Sequence, residues 1–173
     1  MKTPDLDKPV ARKARQHIDG ANYLPSYLSH INNRLSSGAS QLYLRLYGIG
    51  INEWRILSVL SNWPRSTAGT IGDTVGMHKT VVSRSLREME EKGLVHIDTG
   101  SGQRLMALTA EGQRLHDQIV RIALERERLL TLGFSEAERQ LLFGLLRRML
   151  DNVESVNAWD PSIVPVPRRT RRT

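Results

Sequence analysis

The sequence contains no cysteine, and this absence excludes several kinds of site. Without a thiol the chain forms no disulfide, no thiolate metal site and no cysteine-based redox switch. It has no apolar run near the roughly 18 residues that a membrane-spanning helix requires, and residues 1–16 lack the hydrophobic centre of a signal peptide. We therefore expect a cytoplasmic protein with no membrane partner.

Residue clusters that carry catalysis or bind metals are lacking too. The five histidines form neither an HExxH pattern nor another close ligand pair, so no metal and no cofactor are predicted. Ser36, Ser37 and Ser40 have no neighbouring base with an orienting acid, which leaves a nucleophile unsupported. The chain is therefore predicted not to be an enzyme.

Positive charge is in excess, but it is concentrated at the two ends. The 173 residues carry a formal net charge of +7. Residues 1–17 hold five basic and two acidic side chains, for +3, and the four arginines of 168–172 add +4, so the middle of the chain is neutral. We expect residues 1–17 to be a flexible basic extension and 161–173 a disordered basic tail, both attracting polyanions in a salt-sensitive way.

Two long segments have the apolar spacing of helices that pack on other helices. The first, about residues 22–47, repeats apolar side chains every three or four positions and ends at Gly48. The second, about residues 109–158, contains a last helix capped by Ser135-Glu-Ala-Glu. These stripes are longer than a small central module can bury, so both segments are predicted dimerisation helices; burial in the core of a monomer is the alternative.

The central segment, about residues 52–108, has three short helices followed by a hairpin. The predicted elements are helices at 52–62, 67–75 and 78–92 and strands at 94–98 and 103–108. Asn52 is the expected capping residue of the first helix, and the glycine-containing turn between the strands is typical of a tight hairpin.

Helix 78–92 has two chemically distinct faces. Val82, Leu86 and Met89 form the predicted buried side. The opposite side carries hydroxyl and guanidinium groups: Thr80, Ser83, Arg84 and Arg87. An amphipathic surface helix with solvated charges is the simpler alternative, and the acidic residues of its second half fit that alternative. The order of elements favours a mainly α (α+β) winged helix-turn-helix fold, in which this helix enters the DNA major groove.

Four motifs in this order resemble the MarR family, the multiple antibiotic resistance regulators, over about residues 22–157 of the domain predicted at 18–160. They are Ile51-Asn-Glu-Trp-Arg-Ile-Leu, Ile71-Gly-Asp-Thr-Val-Gly-Met-His-Lys-Thr-Val-Val-Ser-Arg, Leu86-Arg-Glu-Met-Glu-Glu-Lys-Gly-Leu-Val and Leu108-Thr-Ala-Glu-Gly. The resemblance implies dimers joined through the first and last two helices, with recognition helices in successive major grooves and wings in flanking minor grooves. It also implies release from DNA by a small anionic, often aromatic, ligand.

The candidate DNA-binding residues lie on the recognition helix and the wing. They are His78, Lys79, Thr80, Ser83, Arg84, Arg87 and Arg104. Base contact and phosphate contact are nearly equal alternatives for Arg84. The wing departs from the family pattern, because Gly100 and Gly102 stand where an acidic residue and an arginine are usual, and Arg104 is the nearby candidate for the minor-groove role.

A ligand site is predicted at Tyr27, His30, Arg34 and Trp54, where aromatic and basic side chains suit an aromatic carboxylate or an aromatic acyl-CoA. The alternatives are that the aromatic side chains belong to the core and that His30 and Arg34 are solvated or paired with another helix.

These features together predict a ligand-responsive regulator of transcription, a repressor that binds double-stranded DNA as a homodimer at a pseudo-palindromic operator. A DNA-coating protein that binds through its basic ends is one rival, and an enzyme that uses a winged helix for docking is another. Removing residues 1–17 and 168–173 distinguishes the DNA-coating protein from a regulator. The coating protein would lose DNA binding, whereas a regulator would keep its sequence preference.

Overall fold

A computed structural model describes residues 18–20, 22–100 and 102–162. The first helix, α1 (Leu24–Tyr47), begins with Pro25 in its first turn and ends at Gly48, whose φ of 67° is left-handed. Helix α2 (Ile51–Asn62) starts one residue earlier than predicted.

The predicted cap of α2 by Asn52 is therefore wrong. Gly50 is the capping residue, and its N–H donates to the Glu53 carboxylate at 2.9 Å. A carboxylate three residues into a helix can reach back to the cap, and there it also favours the positive end of the helix dipole.

The next two helices are joined by a tight turn. Helix α3 (Ala68–Val75) is capped by Thr67, whose hydroxyl accepts the N–H of Thr70 at 3.1 Å. It ends at Gly76 with a φ of 65°, a conformation that glycine adopts without steric cost. Helix α4 (Lys79–Glu91) follows, within one residue of the predicted bounds at each end.

A two-stranded antiparallel sheet forms the wing. Strands β1 (Val95–Asp98) and β2 (Leu105–Leu108) pair from Val95 with Leu108 to Asp98 with Leu105. The loop after α2 adds one bridge, in which the N–H of Met106 donates to the carbonyl of Ser66 at 2.9 Å. This bridge fixes the base of the hairpin beside α3, and the predicted mainly α winged helix-turn-helix fold is confirmed.

The chain divides into two units within the long helix α5 (Ala110–Leu130), at Arg121. The first unit has a continuous apolar core around α2. Its fully buried side chains are Tyr43, Ile49, Ile56, Leu57, Leu60, Ile71, Val82, Met89 and Ile119. Val82 and Met89 of the predicted buried face of α4 are among them, and Leu86 of the same face is 3% exposed. Burial of each such side chain stabilises the fold by roughly 1.5 to 3 kcal/mol.

The second unit contains α6 (Glu136–Asp151) and α7 (Val153–Ala158). Ser135 and Glu138 form the predicted capping box at the start of α6. The expected single last helix is interrupted at Asn152, whose N–H donates to the carbonyl of Met149 three residues back. Asparagine favours helix ends because its side chain competes for backbone hydrogen bonds.

No helix in the described ranges is long and apolar enough to cross a bilayer. The predicted basic extension at 1–17 and the predicted tail from residue 163 onward lie outside the described residues.

Candidate nucleic-acid interface

The exposed face of α4 is the centre of the site. Val82, Ser85, Leu86 and Met89 are buried, and this anchors the helix against α2 and α3. The hydroxyl and guanidinium residues predicted for the other side, Thr80, Ser83, Arg84 and Arg87, are all exposed. Short polar side chains near the helix start allow close approach of a duplex, and the longer arginines can reach base edges or phosphates.

His78 caps α4 rather than standing free at its start. Its Nδ1 accepts the N–H of Thr80 at 3.4 Å and lies 2.8 Å from the Thr80 hydroxyl. The side chain remains exposed, so the structure gives His78 a capping role beside its predicted place in the interface.

A part-buried hydrogen bond connects α4 to α2. The Ser85 hydroxyl, only 4% exposed, donates to Glu53 Oε1 at 2.6 Å, while Glu53 Oε2 accepts the N–H of Gly50. At the C-terminal end of α4, the Lys92 ammonium donates to the carbonyl of Gly48 at 2.8 Å. The loop between α1 and α2 is thus connected to the middle of the recognition helix through Glu53 and to its C-terminal end through Lys92.

Replacing Ser85 with alanine is expected to lower the free energy of unfolding by about 1 to 3 kcal/mol, because Glu53 Oε1, which is part-buried, loses the one side-chain donor that it has among the described residues. Chemical denaturation measures this loss. Ser83→Ala is the matched control on the exposed face and should change stability by less than about 0.5 kcal/mol. Equal effects of the two substitutions would contradict a structural role for the Ser85 hydroxyl.

The stem of the wing is fixed by Asp98. Its carboxylate accepts the N–H of Gly100 at 2.8 Å and a guanidinium N–H of Arg65 at 3.1 Å. Both bonds hold the pKa of Asp98 below its ordinary value, and the hydrogen bond from Gly100 has the larger effect. Arg65 has a left-handed φ of 62°, an uncommon conformation for a residue with a side chain, and this aims the guanidinium at the wing.

A groove of about 650 Å³ separates α4 from the wing. Its walls include three basic side chains, Lys79, Arg87 and Arg104, together with Ser83 and Glu90. In the described part of the chain none of the three cations forms an ion pair, so their charges are available to a polyanion. The predicted wing residue Arg104 thus lies beside the recognition helix.

Comparisons with known proteins agree with this geometry. A model of the MarR family matches residues 47–104. A MarR/EmrR family transcriptional regulator from Acinetobacter sp. ADP1 is 33% identical, covers 80% of this chain and 99% of its own, and superposes with a TM-score of 0.76. The chain belongs to the MarR family.

Two other proteins are more distant. YwoH of Bacillus subtilis, an uncharacterized HTH-type transcriptional regulator, is 25% identical over 75% of this chain and 98% of its own. The PcaV transcriptional regulator from Streptomyces coelicolor, solved in complex with its natural ligand, is 20% identical over 79% of this chain and 98% of its own, with a TM-score of 0.64. The similarity to PcaV shows a shared fold.

Membership of the MarR family makes this protein a DNA-binding transcriptional regulator and not an enzyme. In the described ranges no three His, Asp or Glu side chains are grouped closely enough to hold a metal ion.

The four predicted ligand residues of this MarR-family regulator are placed in two different surroundings. Tyr27, His30 and Arg34 are exposed on α1. Trp54 is half-buried on α2, stacked on His116 with ring centroids 5.5 Å apart and edge-on to Tyr43 at 5.9 Å. Within residues 22–100, no hydrogen bond or ring contact joins Trp54 to the other three.

Sequence reasoning missed Ser85 and Glu53, although one signal was present. Ser85 falls within the apolar stripe of α4, and a polar side chain at such a position needs a buried partner. His116 was missed as well, because its stacking on Trp54 depends on how α5 packs against α2.

Proposed function

We propose that this MarR-family protein is a homodimeric, ligand-responsive repressor that binds a pseudo-palindromic operator through α4. The observation that carries the proposal is the exposed face of Thr80, Ser83, Arg84 and Arg87 on a helix whose back is anchored in the core. Such a helix can enter the major groove without rearrangement of the fold.

The groove between α4 and the wing suits the sugar-phosphate backbone. Lys79 and Arg87 line its helix side and Arg104 its wing side, so a phosphate strand passing through would meet basic groups on both walls. We propose that Arg104 follows the backbone into the adjacent minor groove, in place of the usual arginine at the wing tip.

A homodimer is supported by apolar surface that one chain leaves uncovered. No residue of 122–162 is buried, although α6 alone carries large exposed side chains at Leu141, Phe143, Leu145 and Leu150. The first half of α1 exposes Leu24, Leu28 and Ile31 in the same way. Monomeric proteins rarely expose large contiguous apolar patches. A two-fold partner would cover them and set two α4 helices about one DNA turn apart.

The proposed effector is a small aromatic carboxylate or its acyl-CoA thioester. The ligand-bound PcaV structure and the family resemblance support an effector, and Trp54, Tyr27, His30 and Arg34 remain the candidate contacts. The ligand would release DNA by binding more tightly to a dimer whose recognition helices are wrongly spaced for the two half-sites.

Selection from a random duplex library tests this function directly. The expected result is an enriched two-fold symmetric site that the full chain shifts in a gel, and release of that site by an aromatic carboxylate such as benzoate or by an aromatic acyl-CoA. Enrichment of no site would contradict sequence-specific regulation. An asymmetric site bound by one chain would contradict the dimer.

Replacing Arg84 with alanine should weaken operator binding by about 1 to 3 kcal/mol, or roughly 5- to 150-fold, because a bidentate base contact is lost. Titrations against the selected operator and a random duplex at one salt concentration measure the effect. Binding to random DNA should fall much less. An equal loss on both duplexes would assign Arg84 to phosphate instead.

A further inference from the structure

The two arginines on the exposed face of α4 differ in how they are held. Arg84 Nε donates to Glu88 Oε1 at 3.0 Å, one helical turn further along. Arg87 forms no hydrogen bond or ion pair within the described ranges. Arg84 therefore has a partner on its own helix before DNA arrives, whereas Arg87 has none in these ranges and can follow a charge.

The pairing decides which edge of the Arg84 guanidinium is available. A guanidinium presents two pairs of parallel N–H groups, one that includes Nε and one formed by the two terminal nitrogens. Because Glu88 accepts from Nε, the pair formed by the two terminal nitrogens forms no hydrogen bond within the described ranges and is left for a ligand. Guanine offers two acceptors, N7 and O6, that match such a pair in the major groove.

The Arg84–Glu88 ion pair adds little to the stability of the protein. The side chains of Arg84 and Glu88 are 83% and 43% exposed, so solvent screens their attraction. The arginine also precedes the glutamate, which is the less favourable order on a helix. Glu88 lies at the edge of a shallow hollow with Asn52, Thr80 and Arg84, so it stands beside the proposed base-reading residues rather than in the core.

We propose that Glu88 is a specificity-determining residue, which positions Arg84 for end-on hydrogen bonding to a guanine and keeps it away from phosphates. An orientation that is favoured in advance lowers the ordering cost of a long side chain on binding. The carboxylate also cancels the Arg84 charge, so Arg84 adds little to sequence-independent attraction. Arg87, without such a partner, then supplies phosphate contact. This inference rests on the proposed entry of α4 into the major groove.

Alanine substitutions at Glu88 and Glu91 form a matched pair for the test. Both remove one negative charge from the same helix, and Glu91 pairs with no side chain in the described part of the chain. Each should tighten binding to a random duplex to a similar degree. Only Glu88→Ala should lower the ratio of operator to random binding, by roughly 3- to 10-fold.

Two further variants separate orientation from charge. Glu88→Gln keeps an oxygen that can accept from Arg84 Nε and should restore most of the ratio. In the Arg84→Ala background, Glu88→Ala should lower the ratio no further, because the side chain that it positions is gone. Replacing the contacted guanine with 7-deazaguanine should weaken wild-type binding and leave the Arg84→Ala variant unaffected.

The outcomes distinguish this inference from the proposed function. If the wild-type chain shows no preference for any operator, the proposed function fails. If it shows a preference that Glu88→Ala and Glu91→Ala alter equally, only the role of Glu88 is overturned. The role of Glu88 is also overturned if Glu88→Gln does not restore the ratio of operator to random binding. The same holds if Glu88→Ala still lowers that ratio in the Arg84→Ala background. Thermal unfolding close to that of the wild-type chain is expected for all the glutamate variants.

Discussion

Replacing Gly112 with alanine is expected to destabilise the winged helix by roughly 2 to 4 kcal/mol. Gly112 lies in the first turn of α5, and a Cβ there would overlap the carbonyl oxygen of Leu94. The same carbonyl accepts the N–H of Thr109 at 3.1 Å, so it cannot turn aside without breaking that bond.

The consequence reaches the DNA-binding surface because Leu94 joins the end of α4 to β1. Thr109 ties the same junction together, since its hydroxyl donates to the carbonyl of Gly93 at 2.6 Å and accepts the N–H of Gly112 at 3.0 Å. An alanine must push α5 away from this junction and move the wing relative to the recognition helix. Operator affinity is therefore expected to fall together with stability.

Thermal unfolding measures the effect, and a loss of this size should lower the Tm by roughly 5 to 15 °C. Gly69→Ala is the matched control, because Gly69 also lies in the first turn of a helix but has only the Thr67 hydroxyl near its added Cβ, at 3.7 Å. It should stabilise the chain by up to about 1 kcal/mol. A Gly112→Ala protein as stable as the wild type would show that α5 does not approach Leu94 closely in solution.

Gly112 also illustrates which parts of the fold can be predicted from the sequence. The motif Leu108-Thr-Ala-Glu-Gly placed the start of α5 correctly, but the reason for its glycine lies in a contact with Leu94, eighteen residues earlier in the chain. Helix bounds follow from local spacing and capping. Close approach of two backbones depends on packing, which local patterns do not contain.

The recognition helix was predictable because its bounds and faces depend on local spacing. The apolar stripe of Val82, Leu86 and Met89 has the period of a helix, so its buried and exposed faces followed directly. The start of α2 was predicted wrongly because Asn52 is a stronger capping residue by propensity than Gly50. In the structure the Glu53 carboxylate accepts the N–H of Gly50, and this makes Gly50 the capping residue. Local preference was overridden by a side chain that also bonds to Ser85.

The candidate ligand residues were the least predictable part of the site. Tyr27, His30 and Arg34 share one helix, but their relation to Trp54 depends on the packing of α1 against α2. Trp54 contacts the rings of Tyr43 and His116, and helical spacing alone could not predict these contacts.

Replacing Leu145 with lysine is expected to convert the proposed dimer into a monomer and to weaken operator binding by roughly 10²- to 10⁴-fold. Leu145 is 45% exposed on α6, in a unit of the chain where no described residue is buried. Two-fold symmetry would place two such lysines in one apolar interface, where burial of an unpaired charge is costly. A monomer then contacts only one half-site, and the advantage of joined recognition helices is lost.

Sedimentation equilibrium separates the two states, because the chain mass is 19.6 kDa and a dimer has twice that mass. Gln140→Lys adds the same charge at an exposed polar position of α6 and should leave both the dimer and operator affinity intact. Leu145→Met conserves volume and should do the same. Circular dichroism must show that the lysine variant keeps its helices, since loss of the fold would also abolish binding. A folded Leu145→Lys protein that stays dimeric and keeps wild-type affinity would place the dimer interface elsewhere, and the exposed leucines of α1 would then be the next positions to substitute.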